Sequence, residues 1–131
     1  MKGGSPVSVC FDHVSLRVTD LDRSVAFYRD VVGLEFVSRR EDAQAVFRVG
    51  EALLVLFCRP EYRPVSPEVK SGTDHIAFCL DAGRYDALLG RLKAGGLVLR
   101  GPTMNRGARG EGLATYFRDP DGNELEIKKY E

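Results

Sequence analysis

The chain has 131 residues, 44% hydrophobic and 29% charged, the composition of one globular domain with a real core and too short for two ordinary ones. Its 19 basic and 19 acidic residues balance, which removes the electrostatic case for nucleic acid or a membrane surface as partner. No apolar run approaches the roughly 20 residues of a bilayer span, and Met1 to Pro6 lack the apolar stretch of a signal peptide, so a cytoplasmic location is expected. The cysteines, Cys10, Cys58 and Cys79, are odd in number and sit in apolar runs, which reads as buried reduced thiols.

In chain order, residues 8 to 18 form a first strand with Asp12-His13-Val14-Ser15-Leu16-Arg17-Val18 at its heart. Side chains alternate along a strand, so His13, Ser15 and Arg17 share one face and Val14, Leu16 and Val18 the other. A helix starts at Thr19-Asp20, with Asp20 as N-cap; Leu21, Val25, Tyr28 and Val32 make its apolar stripe and Gly33 ends it. Three short strands follow, at Leu34 to Arg39, Ala45 to Val49 and Ala52 to Cys58, the last two joined by a turn at Gly50-Glu51. Pro60, Pro64 and Pro67 then mark a connector over 59–72, from which Tyr62 and Arg63 are long enough to reach a neighbouring cavity.

The pattern then recurs. Asp74-His75-Ile76-Ala77-Phe78-Cys79-Leu80 repeats the first motif 62 positions later, and the only two histidines of the chain hold the same place in the two copies. A helix from about Arg84 to Ala94, with Tyr85, Leu88, Leu89 and Leu92 on its apolar face, ends at Gly95-Gly96. Leu97 to Leu99 begins a strand, Gly101 to Gly110 reads as a loop, and strands are expected at about Gly112 to Arg118 and Asn123 to Lys128. Between these two, Asp119-Pro120-Asp121-Gly122 is a turn in which proline presets the first φ and glycine supplies φ > 0. The expectation is an α+β chain forming one domain of two βαβββ modules, at about 8–58 and 73–129, in pseudo-symmetric pairing with the helices outside.

In the last strand Glu124, Glu126 and Lys128 share the histidine-bearing face, opposite Leu125 and Ile127. Two imidazoles and a carboxylate on the wall of one trough make a three-ligand site for a divalent metal, with positions left open for water and substrate. Such a set suits Mn, Fe, Ni, Co or Zn without choosing among them.

These motifs carry a resemblance. His13-Val-Ser-Leu-Arg-Val with Asp20-Leu-Asp-Arg-Ser-Val-Ala-Phe-Tyr28, Asp74-His75-Ile-Ala-Phe, and Arg118-Asp-Pro-Asp-Gly-Asn-Glu-Leu-Glu126 are similar to the vicinal oxygen chelate superfamily over about residues 10 to 130. That superfamily includes glyoxalase I, extradiol dioxygenases, fosfomycin-resistance glutathione transferases, methylmalonyl-CoA epimerase and bleomycin-resistance proteins. The resemblance implies paired βαβββ modules wrapped around a metal-holding cleft, with His13, His75 and Glu126 as ligands and Glu124 as a neighbour able to act as a base. It implies a small-molecule substrate that chelates the ion through adjacent oxygens, a thiol such as glutathione as co-substrate in the transferase branch, and a homodimer. Arg17 matches an arginine that holds the glutathione carboxylate in human-type glyoxalase I. Arg106 and Arg109 fall at about the place of the basic loop that grips a phosphonate in the transferases; Tyr116 and Ser15 are placed to hydrogen-bond substrate. Val55 stands where glyoxalase I carries a second glutamate, which argues against that isomerisation, and the lack of a third histidine argues against ring cleavage. A metal-free sequestering module of the bleomycin-resistance type is the alternative.

Overall fold

The computed structural model describes residues 9–68 and 71–130. The expected first residue of the opening strand and the N-terminal segment before it lie outside them, as do residues 69 and 70 of the connector. The first half runs β1 (His13–Val18), α1 (Leu21–Ala26) continuing into a π-helical turn (Phe27–Val32), β2 (Glu35–Arg40), β3 (Gln44–Val49) and β4 (Ala52–Cys58). The second runs β5 (Ile76–Cys79), α2 (Ala82–Ala94), β6 (Val98–Gly107), β7 (Gly110–Arg118) and β8 (Glu124–Lys129). Each half forms its own four-stranded sheet, ordered β1-β4-β3-β2 and β5-β8-β7-β6, with the first strand parallel to the last and the others antiparallel.

Local chemistry explains the element ends. Asp20 accepts a bond from the Arg23 amide and Asp81 from that of Arg84, each supplying the N-cap of its helix. Gly33 ends the first helix at φ 85°, and Gly122 closes the last turn at φ 92° with its amide 3.0 Å from the Asp119 carbonyl. Two expectations are corrected. The segment read as a loop from Gly101 to Gly110 is mostly strand: β6 extends to Gly107 and pairs with β7 from Gly110 onward, because backbone ladder bonds outweigh the weak strand preference of glycine and proline here. The cysteines are not buried: Cys10 and Cys79 are exposed and Cys58 is half-buried, since Cys79 points to the face of β5 away from the helices.

One core joins the halves. Val18, Leu54, Leu56, Phe47, Phe117, Leu125 and Ile127 meet Leu21, Val25, Tyr28, Tyr85, Leu88 and Leu92 from the helices. Both sheets therefore give one face to the helices, and the alternate residues, Val55 in the first and Tyr116, Glu126 and Lys128 in the second, lie on the opposite face. A polar tie supports the same packing: Arg91 Nε of α2 donates to the Val31 carbonyl at 2.8 Å.

Candidate metal centre

The strand registers place the repeat in space. Ser15 stands opposite Val55 in the first sheet, as its counterpart Ala77 stands opposite Glu126 in the second. Val55, 5% exposed, is thus the pseudo-symmetric equivalent of Glu126, and the first sheet has no carboxylate at that place. His75 Nε2 lies 2.9 Å from Glu126 Oε1, and His75 Nδ1 lies 2.7 Å from Asp74 Oδ1. The hydrogen bond to Asp74 and then the charge and hydrogen bond of Glu126 raise the His75 pKa, against partial burial that lowers it.

Tyr116 is the direct cross-strand partner of Glu126, and its ring meets that of His75 edge-on at 5.5 Å between centroids. Burial, followed by the charge and hydrogen bond of Glu126, raises the Tyr116 hydroxyl. Arg100, opposite Tyr116 on β6, lays its guanidinium 4.1 Å from the centre of that ring and pairs with Glu124 Oε2 at 2.6 Å. Lys128, one further step along β8, is 4% exposed and lies 3.7 Å from Glu126 Oε2.

His13 belongs to the other sheet, exposed and 2.6 Å from Asp12 Oδ2. Its ring does not converge with His75 and Glu126. Among the described residues one group of three potential ligands has its atoms mutually within 4.8 Å, namely Asp74, His75 and Glu124. We favour the His75–Glu126 pair over that group, because Glu124 is held by Arg100 and Asp74 is exposed, whereas Glu126 is buried against His75. The remaining sequence candidates are spread out. Ser15 and Arg17 are exposed on β1, with Arg17 lying 5.3 Å above the Tyr62 ring of the connector. Arg106 is 4.0 Å from Glu111 on the hairpin, and Arg109 stacks 5.9 Å from the Tyr130 ring. Arg100, Asn105 and Lys128 were not among the sequence candidates. The signal for Lys128 was present in its alternation with Glu124 and Glu126; Asn105 was hidden by the expected loop, and Arg100 lay between that loop and the strand expected at Leu97 to Leu99.

The donor set suits a divalent ion. An imidazole nitrogen just before β5 and a carboxylate oxygen of β8, both donors to first-row metals, face each other, and each has a second partner that fixes its orientation, Asp74 for His75 and Lys128 for Glu126.

The model of the Glyoxalase/Bleomycin resistance protein/Dioxygenase superfamily matches residues 11–127, and the chain belongs to that superfamily. It is 33% identical over 117 residues to the metallothiol transferase FosB of Shouchella clausii, covering 88% of this chain and 77% of the relative. It is 32% identical over 116 residues to the glutathione transferase FosA of Serratia marcescens, with 88% and 77% covered. Among solved structures, a glyoxalase/dioxygenase from Nostoc punctiforme superposes with a TM-score of 0.77 at 25% identity, covering 97% of this chain and 99% of that one. The vicinal-oxygen-chelate resemblance read from the motifs and the paired βαβββ fold are both borne out. The two sheets do not close on each other within one chain.

Proposed function

We propose that this chain is a divalent-metal-dependent enzyme of the thiol-transferase type, acting in the cytoplasm on a small substrate with neighbouring oxygens. The observation that carries the reading is the pairing of His75 Nε2 with Glu126 Oε1 at 2.9 Å, beside Tyr116. Likeness to a metallothiol transferase and to a glutathione transferase supports the thiol co-substrate.

His75, Glu126 and His13 would hold the ion. His13 stands on a separate sheet where Val55 takes the place equivalent to Glu126, and we infer that it serves the His75–Glu126 pair of a second copy in a homodimer. When bound, the metal supplies Lewis-acid stabilisation of charge that develops on a chelated substrate oxygen. The chain's own groups do the rest. Tyr116 hydrogen-bonds the substrate. Arg17, Arg106 and Arg109 supply positive charge at the rim for anionic groups of substrate or thiol. Glu124 orients Arg100 across the Tyr116 ring, in place of the base role that its strand position first suggests.

Mixing tests this reading. His13→Ala and Glu126→Gln proteins should each bind little Mn(II) alone, and an exchanged mixture of the two should recover sites in its heterodimers. Full binding by His13→Ala alone would remove His13 from the site.

A further inference from the structure

Lys128 ends in a setting that determines the direction of every hydrogen bond around it. An ammonium only donates, and here it faces the Asn105 carbonyl at 2.9 Å, the Asn105 side-chain oxygen, the Gly112 carbonyl at 3.5 Å and Glu126 Oε2 at 3.7 Å. Because the Asn105 atom beside Lys128 must be the oxygen, the amide nitrogen is the end turned to Tyr116, 2.8 Å from its hydroxyl. Tyr116 therefore accepts from Asn105, and its single proton is directed to another acceptor. Glu126 lies directly across the ladder from Tyr116, so that proton is presented beside the carboxylate. Donation runs one way, from Lys128 through Asn105 to Tyr116, and Lys128 itself stands 3.7 Å from Glu126 Oε2.

The hairpin leaves room for the lysine: a Cβ at Gly107 would lie 2.6 Å from Lys128 Cε and displace the end of that side chain.

We propose that Lys128 and Asn105 are positioning residues that lock Tyr116 as a hydrogen-bond donor beside the metal-binding carboxylate, so that the site accepts ligands presenting an anionic oxygen there and rejects those presenting a donor. This rests on the metal reading above, and the test separates the two. In metal-free protein the Asn105 side-chain amide is followed by ¹⁵N–¹H NMR. Tyr116→Phe and Lys128→Met should each shift it, and an amide unmoved by both would overturn this chain of bonds. Protein loaded with Mn(II) is then titrated with inorganic phosphate. Asn105→Asp keeps an oxygen for Lys128 but captures the Tyr116 proton, so it should weaken phosphate about tenfold, as Tyr116→Phe does, with little effect on Mn(II) affinity. The double variant should be no weaker than either single one. Undiminished phosphate binding in Asn105→Asp, alongside a loss in Tyr116→Phe, would overturn the proposal. Absence of Mn(II) uptake by the unaltered protein would overturn the metal reading alone, with the amide shifts still deciding the chain of bonds.

Discussion

The Tyr28 hydroxyl donates to Asp119 Oδ2 at 2.7 Å, joining the π-helical turn of the first half to the last turn of the second. Asp119 also accepts from the Asp121 and Asn123 amides and from the Asn123 side chain, all at 2.9 Å. Its neighbour Asp121 reaches back to the Thr19 amide and hydroxyl and to Ser24. The turn between β7 and β8 is thus a buried anionic clasp on the helix start of the other half. Tyr28→Phe keeps the packing and removes one bond to a charged acceptor, and should lower unfolding free energy by about 2 kcal/mol in chemical denaturation. Asp119→Ala, which orphans several donors at once, should cost more.

The same pair gives an alkaline limit. Burial above all, and then the Asp119 carboxylate, raises the Tyr28 hydroxyl well above its usual value near 10. A folded pKa above the unfolded one means the native state holds the proton more tightly, so this contribution is complete below pH about 10 and is lost as pH rises through the folded value. Stability should fall with pH above about 10, and Tyr28→Phe should flatten that fall. An equally steep decline in the variant would assign it to other groups.

Glycine at the hairpin is a packing requirement. Gly112→Ala places a methyl group against the Lys129 carbonyl and the Tyr130 ring, and a cost of about 1–3 kcal/mol is expected from thermal unfolding. Gly110→Ala has open space around its Cβ but a φ of 100°, so its cost should come from backbone strain alone, about 1 kcal/mol.

Much of this was legible in the chain. The repeated Asp-His motif placed His13 and His75 at equivalent points, at the start of β1 and just before β5, and the period-two alternation put Glu126 on the histidine face. Asp20 and Gly33 marked the ends of the first helical segment because their side-chain oxygen and positive φ act locally. What depended on distant partners was not legible. Asp119 and Asp121 read only as turn residues, since their role comes from Tyr28 and Thr19, roughly a hundred positions away in sequence. The length of β6 was masked by Gly101, Pro102 and Gly107, whose weak strand preference is overridden by pairing with β7. The meeting of Asn105 with Lys128 was hidden for the same reason.

The most direct test of the metal centre is elemental analysis of untagged protein after Mn(II) loading and desalting, beside His75→Ala and Glu126→Gln. One ion per chain is expected, with affinity in both variants reduced by more than the ~10–100-fold that loss of an outer-shell partner costs. Metal-free native protein that takes up no Mn, Fe, Ni, Co or Zn, or a Glu126→Gln protein that keeps a full complement, would contradict it.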